Sequence, residues 1–375
     1  MKMKKLFYVL PALGIAFTLA SCGEGSASIE YTDSEGNTQK IDVKPTENSE
    51  DIADVLYALA SKDISKPEEI TMNLSANADL QATRVSTNET AKLSGSLDST
   101  LQLAIDTKAK TGDALINSVQ AYASVKAKAS LPFDYIASEG KSGSLTKNDK
   151  VELDLEAFFE TKVAYAYINK LSIPEFDAST EQGEMINALI PQLTSTVFKY
   201  DLSNMIDAEV IANIEEEVLP ALGLDFSILS FIATTDAPSK DEFKEAAAQY
   251  IDMLGLSIKS VTGSTIVFKA EFNPAAFDDE DEEVTVNENI NLEFAVDANK
   301  VLPKYIKVDA AAYLKAFGEA SPDTKDVKVS KLNCELNFKY GEKVKTISAA
   351  KKDAAEDIYP LIEALMGGSL TPTLA

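Results

Sequence analysis

The chain has 375 residues, 45% of them hydrophobic, and 60 acidic against 35 basic side chains give a net charge of −25. That is enough apolar material for one large domain or two modest ones, while the acid excess repels nucleic acid and anionic lipid headgroups and serves solubility. Histidine and tryptophan are both absent, which excludes a Ser-His-Asp triad, a Cys-His pair and any His-ligated zinc or iron centre.

In chain order, Lys2, Lys4 and Lys5 precede an apolar stretch from Leu6 to Thr18, broken only by Pro11 and Gly14, and small residues follow at Ala20 and Ser21. That layout predicts a secretory signal over residues 1–21, too short and wrongly flanked for a membrane span. Leu19-Ala20-Ser21-Cys22 resembles the lipobox of bacterial lipoproteins. The resemblance implies that Cys22 is lipidated and becomes the first residue, holding the chain on the outer side of a bacterial membrane, at the cell surface or the periplasmic face. One acyl chain binds membrane only marginally, so stable anchoring needs the further chains that lipoprotein maturation implies. The other cysteine, Cys334, is then left with no disulfide partner in the chain. Residues 22–48 read as a tether, small and polar through Ser28, followed by a hairpin around Asp33-Ser34-Glu35-Gly36-Asn37 with Ile29 and Tyr31 facing Ile41 and Val43.

Residues 49–375 read as a single large α+β domain, because no Pro-, Gly- or Ser-rich linker divides them. A helix is predicted over Glu50 to Ser61, with Ile52, Val55, Leu56 and Leu59 on one stripe. Period-two alternation then predicts strands over Ile70 to Val85, Leu93 to Ile105, Val119 to Leu131 and Val151 to Phe159, with shorter runs near Tyr165 and Val197. A helical middle at about 181–254 holds three candidates. They are Glu181 to Leu193 with Pro191 inside, Ala208 to Leu222, and Asp241 to Leu254, opened by a Ser239 to Glu242 capping box and stopped by Gly255. Strands resume at Ile266 to Phe272, Val284 to Val296, near Ile306 and at Leu332 to Tyr340, and a last helix is predicted over Ala354 to Met366. Some nine or ten strands result. A run of about 13 residues spans roughly 43 Å, and long twisted strands in a large sheet curl toward a barrel or half-barrel with helices over the open face.

The order strand, turn, Leu-Pro, strand in Asn291 to Lys300 and Val301 to Val308, followed by a closing strand from Val327 to Tyr340 and by Thr346-Ile347, resembles the late strands of the LolA and LppX-type lipoproteins. That resemblance covers about 60 residues. It implies a long antiparallel sheet curled into an open half-barrel around helices, with an apolar cavity for a lipid. The chain departs from that pattern in its length, in a helical middle that reads as an insertion, and in lacking a Pro after Ile347. No family motif assigns ligand residues to positions of this chain.

The residues themselves point to one candidate. The inward face of Val119 to Leu131 is rich in alanine, and small side chains on a sheet either leave an apolar space for a ligand or let a helix pack close. Leu101, Leu103, Ala121, Ala123, Val125, Ala127 and Phe159 are the candidate ligand-binding residues. The remaining features have plainer readings. Asp278 to Glu283 is six acids in a row without the alternation or central Gly of a calcium loop, and reads as a solvated hairpin turn. Cys334 alternates with Leu332, Leu336 and Phe338 as a core thiol. Ser144 with Lys147 and Ser348 with Lys351 match Ser-x-x-Lys, but Lys110-Thr111-Gly112 precedes both, the reverse of the penicillin-binding order. The expectation is a membrane-tethered carrier of an apolar ligand, without catalysis, metal or cofactor. The alternative is a surface or structural lipoprotein with a filled core whose acidic exterior meets another protein. A third reading is an enzyme using carboxylates alone. For that, only Glu288 stands out, among Val286, Ile290 and Leu292, and a bulge explains it equally.

Overall fold

Alternation along the sequence becomes strand wherever the run is long enough to pair. The structure is a computed structural model, and it describes residues 27–33, 36–62, 67–86, 88, 90–106, 114, 117–130, 150–173, 181–203, 240–273, 288–321 and 323–360. The signal, Cys22 and the start of the tether lie outside the described residues, as do the predicted helix at Ala208 to Leu222, the acid run at Asp278 to Glu283, and the Lys110-Thr111-Gly112 and Ser144 to Lys147 motifs.

The described chain is mostly strand with few helices. Strands β1 (Ala27–Thr32) and β2 (Thr38–Val43) form an antiparallel ribbon in which Ile29 faces Ile41, Val43 faces Ala27 and Tyr31 faces Gln39. Helix α1 (Ser49–Ala60) follows, then β3 (Glu69–Arg84), β4 (Thr90–Ala104), β5 (Gln120–Ser130), β6 (Lys150–Glu160) and β7 (Val163–Ser172). Next come α2 (Glu181–Ser195), β8 (Val197–Asp201), α3 (Lys240–Met253), β9 (Ser257–Thr262), β10 (Thr265–Phe272), β11 (Ile290–Asp297) and β12 (Leu302–Asp309). Helix α4 (Ala311–Ala320), β13 (Thr324–Tyr340), α5 (Ala349–Asp353) and β14 (Glu356–Asp357) complete it. Among the described residues no helix is long and apolar enough to cross a membrane.

Backbone contacts divide the chain into two compact units. One comprises Met1–Pro67, Met72–Ser96 and Leu219–Lys339, the other Glu68–Thr71, Leu97–Val218 and Tyr340–Ala375. The sequence reading takes 49–375 as one domain; the division falls inside β3 and β4, where no change of composition marks it.

In the first unit the strand order is β3-β13-β12-β11-β10-β9, and Thr46 bridges the β9 edge at Ile258. Ile266, Phe268 and Ala270 on β10 face Val296, Phe294 and Leu292 on β11, and all but Phe294 are buried. The Phe268 and Phe294 rings stack with centroids 4.8 Å apart. Asn48 caps α1 by accepting the Glu50 and Asp51 N–H groups, which starts the helix where its apolar stripe begins. Tyr57 of α1 meets Phe243 of α3 edge-on at 5.5 Å. Asp54 between them pairs with Lys240 at 2.6 Å and Lys244 at 3.0 Å. Burial pushes the Asp54 carboxyl up, but the two ammonium groups outweigh it and hold it below the usual range. Helix α3 stops at Gly255, whose φ is +53° and where an added Cβ would lie 2.8 Å from the Glu271 carbonyl oxygen, so no side chain fits.

The strand order in the second unit is β14-β8-β7-β6-β5-β4. Its recorded pairs are antiparallel except β14 with β8, so the sheet is mixed and open at the β14 edge. The predicted closing helix is corrected at its start. Ser348 caps the short α5, Ala354 ends it, and Glu356–Asp357 run beside Phe198–Lys199 as β14. A helix beginning at Ala354 would forfeit that edge pairing.

Candidate functional site: an alanine-floored pocket

On one face of the second unit's sheet the registers line up small residues across strands. Ala123 faces Ala157, Ala157 faces Ala166 and Ala166 faces Phe198, giving a row over β5, β6, β7 and β8. Its neighbour is Ala121, Phe159, Ala164 and Tyr200. With strands about 4.8 Å apart, each row is about 14 Å long. Methyl groups flanked by aromatic rings leave a hollow. A pocket of about 460 Å³ lies there, lined by Ala121, Ala123, Ala157, Phe158, Phe159, Ala164, Tyr165, Ala166, Phe198, Lys199, Tyr200 and Ile358. Ligand pockets run roughly 300–1,000 Å³ and are mostly apolar with few polar groups, and this one has that character.

Three of the seven sequence candidates, Ala121, Ala123 and Phe159, line the pocket. Val125 and Ala127 share their face, opposite Leu155 and Leu153, but lie further along the strand. Leu101 and Leu103 sit on β4 and are not among its lining residues, and Leu101 is exposed. The lining residues missed are Ala157, Phe158, Ala164, Tyr165, Ala166, Phe198, Lys199, Tyr200 and Ile358. The signal for Ala164 and Ala166 was present: alanines recur at alternate positions in β5 and β7, and the two-residue turn at Thr161-Lys162 fixes how β6, with its single Ala157, pairs with β7.

The opposite face of the same strands is polar and aromatic. Tyr122, Phe158 and Tyr167 form a buried cluster with Ile347, and Tyr165, Val197 and Val344 pack against it. Neighbouring ring centroids are 5.1 and 5.9 Å apart. Beside the rings, Glu156 pairs with Lys345, accepts from the Tyr122 hydroxyl at 3.3 Å and from the Asn169 amide at 3.2 Å. Burial raises the Glu156 carboxyl, and Lys345, Tyr167 and Asn169 together bring it below its ordinary value. The Tyr167 hydroxyl is pushed up to about 12 by burial and by its bond to Glu156.

Three lysines from the segment after β13 hold this face. The Lys345 ammonium stands 4.6 Å from the centre of the Tyr122 ring, Lys351 stands 3.0 Å from that of Tyr167, and Lys352 pairs with Glu160. Ser348 and Lys351, the Ser-x-x-Lys match, are thus a helix cap and a cation over a ring. Cys334 is half-buried opposite Val308, and burial pushes its thiol up. Glu288 is exposed just before β11, so the alternation of that strand needs no bulge to accommodate it. Among the described residues no group of three or more Cys, Asp or Glu is placed to hold a metal ion. No protein-family model matches the sequence, and a search of curated proteins finds no match.

Proposed function

We propose that the chain is an extracytoplasmic lipoprotein, anchored through Cys22, that carries an apolar ligand such as a lipid without transforming it. The observation that supports this most is the pocket itself, apolar and of ligand size, on the alanine face that the sequence singles out. Its walls are methyl groups and rings with little polar surface, which suits an apolar ligand. The anchor and tether place such a carrier beside a membrane, where apolar ligands are exchanged. The reading includes the sheet curvature and helical cover that the LolA and LppX resemblance implies, with the alanine rows on the inner face.

The test is native mass spectrometry of the unlipidated chain from Gly23 to Ala375, purified from a bacterial host, followed by solvent extraction. A discrete bound mass that solvent releases is the expected result. A clean ligand-free mass, unchanged after incubation with mixed bacterial lipids, overturns the reading.

A further inference from the structure

We propose that the segment from Gly341 to Ile358 is a charge-latched strap that controls the edge of the alanine pocket, a proposal that rests on reading that pocket as a ligand site. The strap starts on one face of the sheet and ends on the other. It leaves β13 at Gly341, which has a φ of +76° and no atoms within 4 Å of a would-be Cβ, so the exit is an uncrowded pivot. Residues 342–348 belong to no strand. Their hold on the sheet is through side chains. Lys345 pairs with Glu156, the Lys345 N–H donates to the Gln102 amide oxygen at 2.9 Å, and the Ile347 N–H donates to Glu160 at 3.1 Å. Lys352 completes the latch on the other oxygen of Glu160.

Beyond α5 the chain passes the β8 edge. Glu356 and Asp357 run parallel to Phe198 and Lys199, the Ile358 N–H donates to the Lys199 carbonyl at 3.0 Å, and Ile358 lines the pocket. A two-residue ladder is far shorter than strands that stand alone, so the register of Ile358 depends on what fixes the strap upstream. That is the latch. Its carboxylates are shielded, Glu156 16% and Glu160 14% exposed, while the lysines reach water at 50% and 36%. Partly exposed pairs are weak and reversible, as a device that opens in solution requires. Four lysines and four acids leave the strap itself without net charge, and of the lysines Lys345 and Lys352 pair with acids of β6. The acids that receive them, Glu156 and Glu160, stand on β6, whose other face supplies Ala157 and Phe159 to the pocket.

The experiment compares the Gly23 to Ala375 chain with its Lys345→Gln/Lys352→Gln variant. Release of the neutral fluorophore N-phenyl-1-naphthylamine is followed by stopped flow, and amide exchange at Lys345, Ile347 and Ile358 by mass spectrometry. The expected result is release about tenfold faster, the equivalent of losing two partly exposed pairs, with Ile358 exchange rising alongside Lys345 and Ile347. Release unchanged within about twofold in a variant that binds the probe overturns the proposal, as does faster exchange at Lys345 and Ile347 with Ile358 unmoved. If the parent chain takes up no probe, the ligand reading of the pocket fails, and exchange at Ile358 alone decides whether strap and edge are coupled. Should the double variant not fold, Glu160→Gln removes one charge and keeps an oxygen for the Ile347 N–H. It is held to the same exchange criterion.

Discussion

The two units share one strand pattern and put different residues into it. In the first, the inward positions of β10 and β11 carry Ile266, Phe268, Leu292 and Val296, and the side chains buried most completely include Phe268, Ile29, Ile52, Leu59, Val43 and Val261, all in that unit. In the second, the corresponding face of β5 to β7 carries Ala121, Ala123, Ala157, Ala164 and Ala166, none of them fully buried, and its buried cluster is the small group of Tyr122, Phe158, Tyr167 and Ile347. Alternation sets which face a side chain occupies, and volume sets whether that face closes. Among the described residues the first unit carries more of the large, fully buried side chains, and the second carries the pocket.

Three variants put that contrast at risk. The largest effect is expected from Phe268→Ala, which empties a fully buried ring site and should cost about 3–5 kcal/mol in urea unfolding. A loss below ~1 kcal/mol would mean the first unit is no better packed than the second. Next is Phe158→Ala. Its ring holds the second unit's aromatic cluster but borders the more exposed side of the sheet, so about 3 kcal/mol, the low end for such truncations, is expected in the same assay. The sharper test is Ala157→Leu combined with Ala166→Leu. In a filled interior added methylenes cost about 1–3 kcal/mol through strain. In an open pocket they find room, so a stability change below ~1 kcal/mol together with loss of N-phenyl-1-naphthylamine binding is expected. A large destabilisation would show that the alanines serve close packing instead.

The same contrast explains what was legible from residues alone. Strands β3 to β6, β10 and β13 were readable because their alternation runs long, and α1 because Ile52, Val55, Leu56 and Leu59 form one stripe. Strand β9, six residues ending in the Gly263 turn, was too short to announce itself. Helix α4 was missed although Tyr313, Leu314 and Phe317 make a short stripe, because Ala310 gives it no side-chain cap; its contact with β13 shows only in three dimensions, where a Cβ on Gly318 would meet Val327 at 2.9 Å. At the pocket, Ala121 and Ala123 were readable from one strand's pattern, whereas Phe198, Tyr200 and Ile358 enter through the pairing of β7 with β8 and β8 with β14. The latch was invisible for the same reason: Lys345 and Glu156 are 189 positions apart, and no local pattern ties them.

The smallest expected effects concern pH, and here a partly shielded carboxylate from each unit serves as the comparison. Asp54 in the first and Glu156 in the second both titrate below their ordinary values. The stability each contributes is present above the unfolded-state value near 4, and is lost as pH falls through the lower folded value. Tyr167 has the opposite sign. Its neutral form is favoured up to about 12, so its contribution is complete below the ordinary value of 10.0 and disappears as pH rises through about 12. Both carboxylates are partly exposed, so each loss should be about 1 kcal/mol or less, read as a shift of Tm by circular dichroism. Asp54→Asn should flatten the acid limb of the first unit and leave amide exchange at Ile358 alone. Glu156→Gln should flatten that of the second and raise exchange at Ile358 at neutral pH. If instead the two variants change the acid limb and Ile358 alike, the chain unfolds as one cooperative block, and packing density would not separate a stable unit from a ligand-bearing one.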